Sequence, residues 1–389
     1  MAFQIIFWIS VLLILHSYLL FPLILKLLSR GKQAPTPVYS PEDDLPAVSF
    51  IIAVYNEESV LRKKIESIYQ THYPQQKIEV LIGSDASTDA TNRILEEYAD
   101  KYDSLRPWLF EQRQGKANIL NELVPQAKGE ILVMSDANVL FTPDTLHHLI
   151  KHYKNPQVSV VGGNILNTNL KNSGISYQEK FYLVNENRIK YLEGLIWGTM
   201  IGAFGGCYAI RKEDFVPVPR NYFMDDFYIT LHALSKGKKA LNELDAVCYE
   251  DISNILYEEF RRKVRISIGN YQNLSTYGYL LKKPFTGLGF CFLSHKVLRW
   301  FTPFFIMLAL LGSAMLMGSS TLYLILFIAQ LLLIALPFID TILRKMQIHI
   351  VILRFVTHFF SMNLALVVGF FKYAKGVKTN VWQPTRRDQ

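Results

Sequence analysis

Two apolar blocks set the outline of this chain. One runs from Phe3 to Leu28, the other from Phe301 to Phe371. About 20 apolar residues suffice to cross the hydrocarbon of a bilayer. There every backbone N–H and C=O must be satisfied within the segment, so such a run folds as a helix. The two blocks bracket a mixed, charged region, 47–280, long enough for one sizeable domain. They also account for an overall hydrophobic share of 50%.

The first block reads as a transmembrane helix within 1–32. A cleaved signal peptide is the weaker reading, because the apolar run is too long and no basic residues follow Met1. Lys26, Arg30 and Lys32 come at its end. The positive-inside rule then puts the N-terminus outside and the next domain in the cytoplasm. Residues 33–46 are a polar, Pro-containing linker. Near the other end, 281–300 mixes Phe285, Phe290 and Phe292 with Lys282, Lys283, Lys296 and Arg299, and reads as an interfacial helix.

In the second block, 301–371, Phe301–Met317 and Leu322–Leu343 read as spans. Ile350–Phe371 holds Arg354, and an arginine near a span's centre costs ~2.5–3.5 kcal/mol. A third crossing would also carry the basic tail, 372–389, outside. We therefore expect Ile350–Phe371 not to cross fully and the tail to be cytoplasmic. The net charge of +8 fits basic flanks of membrane helices, and no nucleic-acid module is present. Three scattered cysteines give neither a disulfide framework nor a zinc site, and suit a reducing compartment.

Between the blocks, strand and helix patterns alternate. Strands are expected at 47–54, 78–83, 108–110, 131–135 and 158–161, the last stopped by Gly162-Gly163, with helices between them. Such alternation gives a mostly parallel sheet with right-handed crossovers. Ligands of an open α/β sheet bind at the carboxyl ends of its strands. Three strands end in polar loops, Tyr55-Asn56-Glu57, Ser84-Asp85 and Ser135-Asp136-Ala137-Asn138.

Each loop taken alone also reads as an ordinary turn. Together they would supply Glu57 and Asp85 for ribose or base, Tyr55 for stacking, and Asp136 with Asn138 as hard oxygen ligands for Mg2+ or Mn2+. Lys116, following Gly115 at a helix start, adds a cation for phosphate. No dinucleotide or ATP-loop glycine pattern occurs.

Further on, Gly205 and Gly206 sit in a glycine-dense loop that suits either close ligand approach or a tight sheet corner. Asp225-Asp226 reads either as a helix N-terminus or as a general base raised by burial and a like charge. Arg262 and Arg265 lie in the main basic run, a solvated helix face or a diphosphate or membrane contact.

Several of these stretches, in this order, resemble family 2 glycosyltransferases. Val48–Glu58 is similar to their opening motif around Ala53 and Tyr55. Ser84–Asp89 resembles their nucleotide-contacting Asp loop, Gly115–Asn121 their Gly-Lys helix start, and Ser135–Asn138 their metal-binding Asp-x-Asp. The likeness runs from Val48 to about Gln272 and is nearest to membrane-bound cellulose, hyaluronan and poly-N-acetylglucosamine synthases.

It implies an α/β GT-A (Rossmann-like) cytoplasmic domain with N- and C-terminal transmembrane helices, a UDP-sugar donor and a divalent metal. Carried over residue by residue, Asp226 is the base, Asp225 replaces a Glu, and Arg265 faces the leaving diphosphate. Arg262 stands where the family's Gln-x-x-Arg-Trp has Gln, and Ile266 replaces its Trp. Trp382 in Trp382–Arg386 resembles the closing Trp…Arg.

The expected protein is a metal-dependent inverting hexosyltransferase of a bacterial inner membrane. It would act on a polysaccharide or lipid-linked acceptor, with export or accessory subunits as potential partners. The rival is a membrane sensor or assembly partner that binds nucleotide sugar without transferring it.

Overall fold

A computed structural model describes residues 1–33, 36–168, 176–251, 255–348 and 350–377. Trp382, with most of the basic tail, lies outside the described residues.

The elements, in chain order, begin with helix α1 (Ala2–Leu28). The first crossovers follow as β1 (Val48–Val54), α2 (Glu58–Tyr69), β2 (Ile78–Asp85), α3 (Thr91–Lys101) and β3 (Leu105–Phe110). Next come α4 (Lys116–Leu123), β4 (Ile131–Ser135), β5 (Val139–Phe141), α5 (Thr145–Ile150) and β6 (Val158–Thr168). The domain continues through α6 (Ser176–Trp197), β7 (Cys207–Arg211), α7 (Asp225–Ser235), β8 (Lys239–Asp251) and α8 (Leu256–Tyr277). Three further helices close the chain, α9 (Gly287–Leu316), α10 (Thr321–Lys345) and α11 (Val351–Ala374).

The eight strands form one sheet in the order β3-β2-β1-β4-β7-β6-β8-β5. Its first half is parallel as expected, because each strand returns through a helix. Beyond β4 the sheet is mixed: β7 runs antiparallel to β4 and β6, and β5 antiparallel to β8, while β6 and β8 are parallel.

Gly162-Gly163 does not end β6, which continues to Thr168. Those glycines serve close approach instead. A Cβ on Gly162 would lie 2.7 Å from Asn242 Oδ1, and one on Gly163 2.7 Å from Cys207 Sγ.

All seven residues of β1 are buried, so the sheet is covered on both faces. Phe50, Ile52, Val80 and Val133 pack with Leu61 and Ile65 on one side. On the other, Ile51, Leu81 and Leu132 pack with Ile119, Leu120 and the end of α1, where Phe21 and Leu25 are fully buried. Thus α1 is docked onto the domain it precedes.

Four helices, α1, α9, α10 and α11, are long and apolar enough to cross a membrane by length and composition. The boundary expected at 300 falls inside α9. Phe292, Ser294 and His295 in its first turns are completely buried against the domain and α1. α11 packs on α8: Ser267 Oγ donates to Leu366 O at 3.0 Å, and Phe370 meets Tyr271 with ring centroids 5.1 Å apart.

Candidate functional site

Because β1, β2 and β4 are parallel neighbours, their carboxyl ends open on one edge of the sheet. Two of the loops there hold non-glycine residues at positive φ, Asn56 at 51° and Ala86 at 55°. Such conformations persist only where surroundings enforce them. Here the loops latch each other: Asn56 N donates to Ser87 Oγ at 3.1 Å, and Thr88 N donates to Asn56 Oδ1 at 2.8 Å.

Asp85 is fully buried. It accepts from Gln114 N at 2.6 Å, Gly115 N at 3.1 Å and Arg113 Nε at 3.0 Å. The turn needs Gly115, whose φ is +87°, to bring both amides round and start α4 at Lys116. The Arg113 guanidinium lies 3.3 Å from the Tyr55 ring centroid, so one face of that ring is covered. Arg113 went unnoticed in the sequence. Its only signal there was its place two residues before Gly115-Lys116.

A cavity of about 1060 Å³ opens from this edge. Ala53, Glu57, Lys116, Asp136, Asn138, Gly205, Gly206, Asp225, Asp226, Arg262 and Arg265 all line it. Tyr55 and Asp85 stand outside the lining, where they hold the loops that shape it.

Lys116 Nζ donates to Asp136 Oδ1 at 2.7 Å and to Gly205 O at 3.4 Å, and lies 3.7 Å from Asp225 Oδ2. Burial opposes its charge, but Asp136 and Asp225 outweigh burial and hold the ammonium above the ordinary lysine value. Lys116 thus joins the loop after β4 to the acid pair at the start of α7.

Beneath that loop sits Lys64, with no exposed surface and no ion-pair partner among the described residues. It donates to Ser135 Oγ and Val139 O, both at 2.6 Å, and so clamps the two ends of the Asp136–Asn138 turn. Burial pushes it down to about 8. Asn138 Nδ2 donates to Glu250 Oε1 at 3.0 Å. That brings a carboxylate of β8, absent from the sequence reading, beside the turn.

Asp226 is buried at the start of α7, with Oδ1 accepting from Phe227 N at 2.7 Å. Gly205 leaves room for it, since a Cβ there would lie 2.9 Å from Asp226 Oδ2. Burial, then the neighbouring Asp225, raises Asp226 to about 6. Asp225 is raised as well, by burial against the pull of Lys116, and its Oδ2 lacks a hydrogen-bond partner. A carboxylate so placed is a fitting proton acceptor near neutral pH.

The two arginines differ. Arg262 is neutralised by Glu259 at 2.8 Å and Glu179 at 3.5 Å. Arg265 lines the cavity with no hydrogen bond or ion pair among the described residues.

The far wall is α6, which sequence reading passed over. Its glutamates recur every seven residues, at 179, 186 and 193, and so share one face. Glu179 meets His358 at 2.6 Å and Lys263 at 3.3 Å. Glu186 meets His295 at 3.0 Å, Arg299 at 3.1 Å and also Lys296. Glu193 meets the other nitrogen of His295 at 2.7 Å. Between them Lys190 is buried, its ammonium 3.2 Å from the Phe204 ring centroid. Burial and Lys296 push it down to about 7.

Comparison with known proteins follows the same geography. Residues 49–216 match the family model described as Glycosyl transferase family 2. Over 122 residues, 31% of the chain, it is 34% identical to a beta-monoglucosyldiacylglycerol synthase of Nostoc sp.. Over 128 residues, 33% of the chain, it is 33% identical to a poly-beta-1,6-N-acetyl-D-glucosamine synthase of Staphylococcus epidermidis. These matches span 26% and 30% of those relatives, so the chain covers under a third of either.

The whole architecture resembles a mannosyltransferase of Pyrobaculum calidifontis solved with GDP-Man and Mn2+. The TM-score is 0.70 at 22% identity, over 95% of this chain and 99% of that one. The fold is therefore GT-A, carried together with apolar helices at both ends.

Proposed function

We propose, from the premise that residues 49–216 form a family 2 glycosyltransferase domain, that this protein is a membrane-integral inverting glycosyltransferase. It moves a sugar from a UDP-sugar to a glycan or lipid-linked acceptor. The observation that carries this reading is the single cavity holding a buried carboxylate raised to about 6, Asp226, beside cations suited to a diphosphate, Lys116 and Arg265.

The residues fit a divalent cation held jointly with a diphosphate. Asp136 and Asn138 offer oxygen donors, and Glu250 adds negative charge alongside. Among the described residues no three acidic, His or Cys side chains gather to hold an ion unaided. The donor's phosphates would supply the remaining ligands. A bound Mg2+ or Mn2+ would neutralise charge on the departing diphosphate.

In the reaction the acceptor hydroxyl gives its proton to Asp226 while its oxygen bonds to the anomeric carbon. The bond from that carbon to the diphosphate breaks, and the pair of electrons leaves with UDP. Lys116 and Arg265 meet the growing negative charge. Lys116 begins paired to Asp136, so donor binding shifts it toward phosphate.

The helix α11 does not cross the bilayer fully, and the basic tail after it is cytoplasmic. Its contacts with α6 and α8 run from His358 to Phe370 and support this. A C-terminal reporter active only outside the cell should stay dark, and a bright one contradicts the placement. The glycolipid and polysaccharide synthases among the relatives support a cell-surface glycan product in a plasma membrane.

The rival, a nucleotide-sugar-binding sensor without turnover, draws on Asn138 in place of a second Asp and on its tie to Glu250. Release of UDP from one donor in a panel, lost in Asp226→Asn with UDP binding retained, is the expected result. Tight UDP binding with no release from any donor, crude membrane extract included, favours the rival.

A further inference from the structure

The cavity has two unlike ends. One is polar and holds Asp226, Lys116 and Arg265. The other is lined by Leu19 and Leu23 of α1, Phe181 of α6, and Phe355, Phe359 and Met362 of α11. Leu19, Leu23 and Phe181 each leave more than half of their surface exposed. Both α1 and α11 are long and apolar enough to cross a membrane.

Polar groups border this end without bridging it: the Arg299 guanidinium lies 5.5 Å from the Tyr18 ring centroid, and Lys26 and His358 line the same cavity. Among the described residues no hydrogen bond joins α1 to α11. The bridge is an edge-to-face contact between Tyr18 and Phe359, with centroids 5.7 Å apart. Each helix is anchored elsewhere. His16 meets Ser294 of α9 at 2.9 Å, and α11 is held by Glu179 and Ser267. At this point the two helices therefore meet through aromatic rings and not through a polar link.

We propose that the acceptor is a membrane lipid with a neutral hydroxyl head, entering sideways between α1 and α11 past Tyr18 and Phe359. This rests on the glycosyltransferase reading above. A hydrocarbon chain loses no hydrogen bonds in such a cleft. A growing glycan would, because each buried hydroxyl left unpaired costs ~1–3 kcal/mol. The base selects the head: a neutral hydroxyl must lose a proton as it attacks, whereas an ionised phosphate oxygen needs none. The new bond joins the lipid oxygen to the anomeric carbon, the proton goes to Asp226, and the diphosphate leaves as UDP.

The test uses the full chain in phosphatidylcholine vesicles. The vesicles carry dioleoylglycerol or undecaprenyl phosphate, or are bathed in soluble cello-oligosaccharide. Each is given radiolabelled UDP-sugars, and UDP binding is measured in parallel. Label should partition into organic solvent with dioleoylglycerol, and Met362→Trp, which fills the cleft, should cut that transfer by ~10-fold or more.

A second readout needs no turnover. Diazirine-bearing dioleoylglycerol should crosslink to peptides holding Leu19–Leu23 and Phe355–Met362, in competition with unlabelled lipid. Label confined to the oligosaccharide or the undecaprenyl phosphate, or crosslinks confined to other helices, overturns the proposal while leaving the glycosyltransferase reading intact. Absence of UDP binding overturns that reading, and the proposal with it.

Discussion

On the function proposed above the cavity has a donor half and an acceptor half, and the two are built in opposite ways. The donor half consists of strand-end loops joined over short stretches of chain, such as Lys116 with Asp136, 20 residues apart. The acceptor half is a helix, α6, pinned by residues far along the chain: Glu186 to Arg299 spans 113 residues and Glu179 to His358 spans 179. The family match ends at 216, before Asp225. It takes in the strand-end loops and α6 itself, but not the helices that carry the partners of α6.

That contrast can be broken first at the base between the halves. Asp226→Asn should lower transfer by ~10²–10⁴-fold with UDP affinity kept, read by product formation beside calorimetry. Retained transfer would move the base elsewhere.

The long-range half should be fragile. Glu186→Gln leaves His295, Lys296 and Arg299 without their shared carboxylate, and losing one member of a buried ion cluster costs ~3–5 kcal/mol. Denaturant unfolding in detergent checks this. An unchanged midpoint would mean that α6 is not fastened through this group.

The donor half should answer differently. Lys64→Met removes a buried cation that has no ion-pair partner, so stability should hold. The loosened Asp136–Asn138 turn should still cost ~10–100-fold in activity or in metal affinity, as outer supports of metal ligands do. Loss of folding instead would make Lys64 a stability residue.

The mildest test is pH. Asp226 must be ionised to accept a proton, and burial with Asp225 raises it to about 6. Transfer should therefore fall as pH drops through about 6, and a limb near the ordinary carboxylate value of about 4 would show a different base.

The same division explains what could be read in advance. The strands before β4 and the polar loops closing β1, β2 and β4 were legible, because a buried run followed by a polar turn is a local pattern. So was the cluster of Lys116, Asp136, Asp226 and Arg265. The mixed half of the sheet was not: β8 alternates weakly, and Gly162-Gly163 resembles a stop although β6 needs glycine only for close packing.

Asp85 shows a subtler gap. Its strand-end position was plain, yet its two oxygens are taken up by Arg113, Gln114 and Gly115, a choice made by a loop 28–30 residues away. The face of α6 carried a signal, glutamates spaced by seven, but their partners lie in helices that no local pattern ties to it.

The central claim is turnover of a nucleotide sugar by Asp226 in the company of a divalent cation. The most direct measurement is UDP release by the purified protein in lipid, over UDP-sugars and GDP-mannose, with Mn2+, Mg2+ or chelator, beside Asp226→Asn. The account predicts release from one UDP-sugar, dependent on the cation and lost in the variant while UDP still binds. Release that persists in Asp226→Asn, or under chelator, would contradict it.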